Sequence, residues 1–161
     1  MARYIKQRDK FSCGPVAILN ALRWAGADVS TGYVYVLSDK CRCVPVGVRR
    51  DKVGTDHYDF DRVIRQESEG LFRVDLILKP RLEEIETHLQ DGGAVVLNYK
   101  HEKARHFNLL TEVSESGKTF ELVNDFSEKM AVVKVRRKTF FDRCLKFNND
   151  IGRKGWFLTK E

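Results

Sequence analysis

Apolar positions recur at helical spacing through the first half of the chain and switch to strand-like runs near residue 94. Val16, Leu19, Leu22 and Trp24 follow Pro15 at helical intervals, which predicts a buried helix of about three turns. Pro15 suits its first turn, Ser12 is the expected cap, and Gly26 the glycine that ends it. A short second helix is expected over residues 29–37, further helices over 59–65 and 81–89, and a strand over 73–78. Residues 94–99, 107–113, 119–123 and 130–135 are β-rich runs separated by turn residues and predict an antiparallel sheet. A short helix over 139–147 and a closing strand over 155–159 complete the pattern. Residues 38–55 contain Cys41, Cys43, Pro45, Gly47 and Gly54 without periodicity and read as a long surface loop.

Helices first and strands second predict an α+β fold, a helical N-terminal half packed on a C-terminal antiparallel β-sheet. At 161 residues, with no repeat, low-complexity tract or linker, the expectation is one domain over residues 1–161. Apolar residues at 42% and charged residues at 32% give the balance of a globular protein and exclude a disordered or fibrous one. The net charge of +6 biases encounters mildly toward acidic partners. Its two local clusters, Arg49, Arg50 and Lys52, and Lys134, Arg136, Arg137 and Lys138, read as solvated faces. Neither is interleaved with stacking aromatics, and no nucleic-acid motif is present, which argues against a nucleic-acid partner. No apolar run approaches the roughly 20 residues of a membrane helix, and residues 1–7 do not form a signal peptide. A cytoplasmic location without a membrane partner, and four reduced thiols, are therefore expected.

One of those thiols stands where chemistry is possible. Cys13 precedes Gly14-Pro15 at the start of the first helix. A thiol attacks as its thiolate, and a free cysteine with a pKa of about 8.5 is mostly protonated at neutral pH. The helix-end dipole favours the anion by only about 0.3–1 kcal/mol, so a histidine partner is required. His57 and His101 lie in polar loops and His88 on a charged helix, whereas His106 opens a strand. If Val113 pairs with Lys118 across the loop 114–117, His106 lies opposite Asp125. Their Cβ atoms would then be about 4.5–5.5 Å apart, within reach for a carboxylate to orient the imidazole. The other face of that strand carries Phe107, Leu109, Thr111 and Val113, suited to covering the helices. A one-residue slip sets Asn124 or Phe126 opposite His106, which leaves Asn124 as the alternative orienting group. Gln7, six residues before Cys13, is placed to donate to an oxyanion beside the Cys13 backbone N–H.

Gln7-x5-Cys13-Gly-Pro, an apolar helix, His106-Phe opening a strand, a turn and then Val123-Asn-Asp125 together resemble the family 39 cysteine peptidases. The best-known members are peptidase domains of bacteriocin-exporting transporters, which cut leader peptides after a double glycine and have a papain-like fold. The resemblance spans nearly the whole chain. It implies a papain-like cysteine peptidase, a thiol protease and hydrolase, acting on a peptide or protein substrate. It assigns Cys13 as nucleophile, His106 as general base and acid, Asp125 as orienting carboxylate and Gln7 to the oxyanion hole. Gly54-Thr55 resembles the family's glycine-threonine step into its third helix, and Leu89-x3-Gly93-Ala-Val-Val-Leu97 its helix-to-strand step before the histidine. Phe126 stands where the family often has proline.

Cys41-x-Cys43 with His57 invites a zinc reading, but structural zinc sites space their first pair by two to four residues and use four ligands. No metal or cofactor is therefore expected. Cys144 follows Phe140 and Phe141 at helical spacing and reads as a packing residue. Two other function classes remain beside catalysis: a peptidase-like module that only binds a peptide or protein in its groove, and a basic nucleic-acid-binding domain.

Overall fold

The first cysteine begins the central helix. In the computed structural model, which describes residues 3–49, 52–101, 104–146, 150 and 152–161, α1 spans Cys13–Trp24 and is buried over almost its whole length. It ends as predicted, with Gly26 at a φ of 92° and its N–H donating to the Arg23 carbonyl at 3.0 Å. Ser12 does not cap it with its side chain. The Asp9 carboxylate instead fixes the turn that leads into the helix, accepting from the N–H groups of Phe11 at 2.9 Å and Ser12 at 2.8 Å. Ser12 has a φ of −92° and ψ of 20°, outside the extended conformation a capping serine needs.

The helix expected over 29–37 forms later, as α2, Tyr33–Lys40. The Arg23 guanidinium holds the Val29 carbonyl through Nε at 3.0 Å and Nη2 at 2.8 Å, in an irregular segment before the helix. α3, His57–Glu67, is capped by Asp56, whose carboxylate accepts from the Asp59 N–H at 2.7 Å. α4 spans Leu82–Gln90, and α5, Arg137–Phe140, runs into a π-helical turn, Phe141–Leu145. No helix among the described residues is long and apolar enough to cross a membrane. Arg50, the His101 side chain and the Phe147 end of the helix predicted over 139–147 lie outside the described residues.

Six strands form one antiparallel sheet: β1, Phe72–Leu78; β2, Ala94–His101; β3, Ala104–Val113; β4, Thr119–Val123; β5, Val132–Arg136; and β6, Lys154–Lys160. Their order is β1-β6-β2-β3-β4-β5. Alternation along each strand gives the sheet two apolar faces. Val96, Phe107, Leu109, Val123 and Trp156 face α1 and α3, as the N-terminal half packed on the sheet requires. Leu97, Tyr99, Leu110, Phe120 and Leu122 face the other way, where Ile85 and Leu89 of α4 and Phe140, Cys144 and Leu145 cover them. The sheet is thus a middle layer.

The β3–β4 hairpin departs from the expected register. Val113 pairs with Phe120, not Lys118, and a bulge between Leu110 and Glu112 then shifts the ladder so that Leu109 faces Val123. The cause is the turn. The Ser114 hydroxyl accepts from the N–H groups of Lys118 at 3.0 Å and Thr119 at 3.1 Å, holding Lys118 in the loop, and Gly117 supplies a φ of 73°. The ladder stops at Val123, because Asn124 turns left-handed with a φ of 60° and donates its N–H to the Ala131 carbonyl at 2.7 Å. Asp125 therefore leaves the sheet and does not lie opposite His106. The cross-strand partner of His106 is Tyr99.

Candidate active site

Cys13 is the first residue of α1 and is partly exposed. Burial pushes its thiol up to about 11, and this outweighs the backbone N–H groups of Phe107, Gly14 and Cys13 itself, which favour the thiolate. Cys43 adds to the upward shift. The glycine after the cysteine has a packing reason. A Cβ on Gly14 would stand 3.1 Å from Thr55 Cβ and 3.6 Å from Phe107 Cδ2, so a bare backbone lets α1 seat against β3 and Thr55. Gly54-Thr55 matters here as the buttress of the cysteine's own helix. The sulfur consequently lies at the backbone N–H of Phe107, the residue that follows His106.

His106 is only 3% exposed. Its Nε2 lies 2.7 Å from the Asn124 carbonyl, which can only accept, so Nε2 carries the hydrogen and the lone pair of the neutral ring is on Nδ1. The ring packs edge-on against Tyr99 and Phe126, with centroids 5.9 Å and 5.6 Å away. The atom that holds the imidazole is thus a main-chain carbonyl of Asn124. The Asp125 carboxylate accepts from the Tyr99 hydroxyl at 3.3 Å and from Arg143 at 2.7 Å, and Arg143 also pairs with Glu128 at 3.0 Å. Lys6 Nζ donates to the Asp125 carbonyl.

Gln7 meets the same corner. Its backbone N–H donates to Asn124 Oδ1 at 3.0 Å, Asn124 Nδ2 donates to Gln7 Oε1 at 2.8 Å, and Gln7 Nε2 donates to the Asp9 carbonyl at 2.9 Å. Gln7, Asn124 and His106 are therefore directly linked, the Cys13 sulfur meets β3 at the backbone N–H of Phe107, next to His106, and Asp125 joins through Tyr99. Arg143 and Tyr99 are the residues that sequence reasoning missed. Neither carries a local signal, since each acquires its role from a contact with Asp125 across at least 18 residues of chain. Beside Gln7 and Ser12 opens a cavity of about 730 Å³ whose apolar lining includes Phe11, Val16, Val34, Tyr35 and Pro45.

The other cysteines and His57 stand elsewhere. His57 has both ring nitrogens engaged, Nδ1 by Lys154 Nζ at 2.7 Å and Nε2 by Asn98 Oδ1 at 2.6 Å. Burial, the largest cause, and the charges of Lys154 and Arg105 lower its pKa. Cys41 is wholly buried and its thiol is pushed up to about 12, while Cys43 Sγ lies 3.4 Å from the Phe11 carbonyl. Among the described residues, no three His, Cys, Asp or Glu side chains gather so as to hold a metal ion. Cys144 is buried in the core against Tyr99 and Asn108.

A cysteine-headed helix seated on an antiparallel sheet, with a histidine on the strand beneath it, is the architecture of papain-like peptidase domains. The crystal structure of the peptidase domain of Streptococcus mutans ComA matches this fold over 97% of the chain and 98% of that domain, with a TM-score of 0.51 and 13% sequence identity. No family model matches the sequence, and no curated protein matches it either.

Proposed function

We propose that the chain is a cysteine peptidase or a related acyl-transfer enzyme, acting on a peptide or isopeptide carbonyl. The observation that supports this most is the Cys13 sulfur at the backbone N–H of Phe107, directly after His106 on β3, with the His106 ring oriented by its Nε2 contact with the Asn124 carbonyl. Burial keeps Cys13 a neutral thiol at rest, so the proton moves to His106 Nδ1 as sulfur attacks the substrate carbonyl carbon. The resulting oxyanion is met by the Cys13 backbone N–H, which lies at a helix start, and by the Gln7 amide. The imidazolium donates through Nε2 to the Asn124 carbonyl, and the Asp125 carboxylate contributes its negative charge through the Tyr99 side of the ring. His106 then protonates the leaving amine, the C–N bond breaks, and water, deprotonated by the same ring, releases the acyl group from sulfur.

The raised Cys13 pKa also favours a second reading, a groove that binds a peptide without cleaving it. Acylation by p-nitrophenyl acetate, followed by intact mass, separates the two. Catalysis predicts one acylated thiol, none in Cys13→Ala, and a rate lower by roughly 100-fold in His106→Ala. Equal slow labelling of all accessible thiols, indifferent to His106, leaves the binding module.

A further inference from the structure

We infer that Asn124 is a positioning residue that fixes which way the Gln7 amide points and so makes Gln7 an oxyanion donor. The inference rests on the acyl-transfer reading above and deepens it. A carboxamide looks nearly the same with its oxygen and nitrogen exchanged, so a glutamine near a nucleophile donates to an oxyanion only if something decides the orientation. Here the decision starts from an atom that has no choice. The backbone N–H of Gln7 can only donate, and it meets the Asn124 side chain at 3.0 Å, so that atom of Asn124 must be Oδ1. The other end of the Asn124 amide is then Nδ2, a donor, and it faces Gln7 at 2.8 Å, which must therefore present Oε1. Gln7 Nε2 is left on the far side, with one hydrogen on the Asp9 carbonyl at 2.9 Å and the second unassigned by any of these contacts.

Both amides are held where they can act on one another. Asn124 is 1% exposed, so its polar atoms cannot exchange Gln7 for water. Its backbone is left-handed, with a φ of 60°, and this conformation aims the side chain back at residue 7 while the carbonyl of the same residue takes His106 Nε2 at 2.7 Å. The pair of contacts with Gln7 forms a ring closed across 117 residues of sequence. One residue therefore registers the oxyanion donor through its side chain and the base through its main chain, and the two functions are separable by substitution.

Asn124→Gly is the variant that separates them, because glycine accepts the left-handed backbone and keeps the carbonyl. Two probes read two steps. Iodoacetamide alkylates sulfur by displacement at a saturated carbon and develops no oxyanion, whereas p-nitrophenyl acetate passes through a tetrahedral intermediate. The expected result is that the ratio of acylation rate to alkylation rate at Cys13 falls at least about tenfold in Asn124→Gly and by a similar factor in Gln7→Ala, with no further fall in the double variant. Asn124→Asp, which presents a second acceptor to Gln7 Oε1, should lower the same ratio. An unchanged ratio in Asn124→Gly, or effects of the two single variants that multiply in the double, overturns the inference while leaving the peptidase reading intact. A wild-type protein with no Cys13 acylation at all overturns the reading itself, and the inference with it.

Discussion

Cys13 and Cys144 lie on opposite faces of the same sheet, and burial raises the pKa of both thiols. What differs is the company. The Cys13 sulfur has backbone N–H groups from Phe107 and Gly14 that stabilise an anion, and a partly open position at a helix start. Cys144 also has donors, the Tyr99 and Asn108 side chains, which favour its thiolate, but it is enclosed in the core and the Asp125 carboxylate nearby repels the charge. A raised pKa is common to the nucleophile candidate and to the core residue, so it cannot tell them apart. Access and the neighbouring charge can, since Cys13 is partly open and Cys144 lies buried beside a carboxylate.

Asp125 belongs to the Cys144 side of this comparison, and the largest effect should come from removing its counter-ion. Arg143→Leu leaves a carboxylate that is 1% exposed with Tyr99 as its remaining side-chain donor, and should cost about 3–5 kcal/mol in urea unfolding. A loss below about 1 kcal/mol would mean that the carboxylate does not depend on Arg143 for its place in the fold.

The next effect concerns pH. The Cys13 thiol has a folded pKa of about 11, above its ordinary value of 9.0, so its contribution to stability is complete below about pH 9 and is lost as pH rises toward 11. Two pKa units correspond to about 2–3 kcal/mol. Cys13→Ser, which does not titrate there, should flatten the decline in stability between pH 8 and 11 by about that amount, with Cys41 sustaining a fall that continues to about pH 12. Identical declines in the two proteins would show that the sulfur is solvated. The smallest effect is steric. Gly14→Ala brings a methyl to 3.1 Å from Thr55 Cβ and should destabilise by about 1–2 kcal/mol while slowing Cys13 acylation. Normal acylation in that variant would show that α1 need not seat against Thr55.

The cysteine, the helix it heads, the histidine strand and the α+β class were legible because each depends on a local pattern: Pro15 and Gly26 around an apolar run, and β-rich residues after 94. The hairpin register was not. It hinges on the Ser114 hydroxyl drawing Lys118 into the turn and on the bulge next to Leu110, two one-residue events that a pairing pattern cannot resolve. That slip also hid the division of labour at Asn124 and Asp125, since a left-handed asparagine sends the carboxylate toward Arg143 and leaves a main-chain oxygen to the imidazole. The late start of α2 was not legible either, because the side chain of Arg23 on α1 takes the Val29 carbonyl.

The position of β6 has a temporal consequence. This last strand of the sheet lies between β1 and β2, so β1 has no neighbour until Lys154–Lys160 has left the ribosome. The His106 corner likewise waits for residue 124, long after Cys13 and Gln7 have been synthesised. A nascent chain therefore carries its thiol with neither base nor orienting amide in place until residue 124 has emerged and folded back on Gln7 and His106.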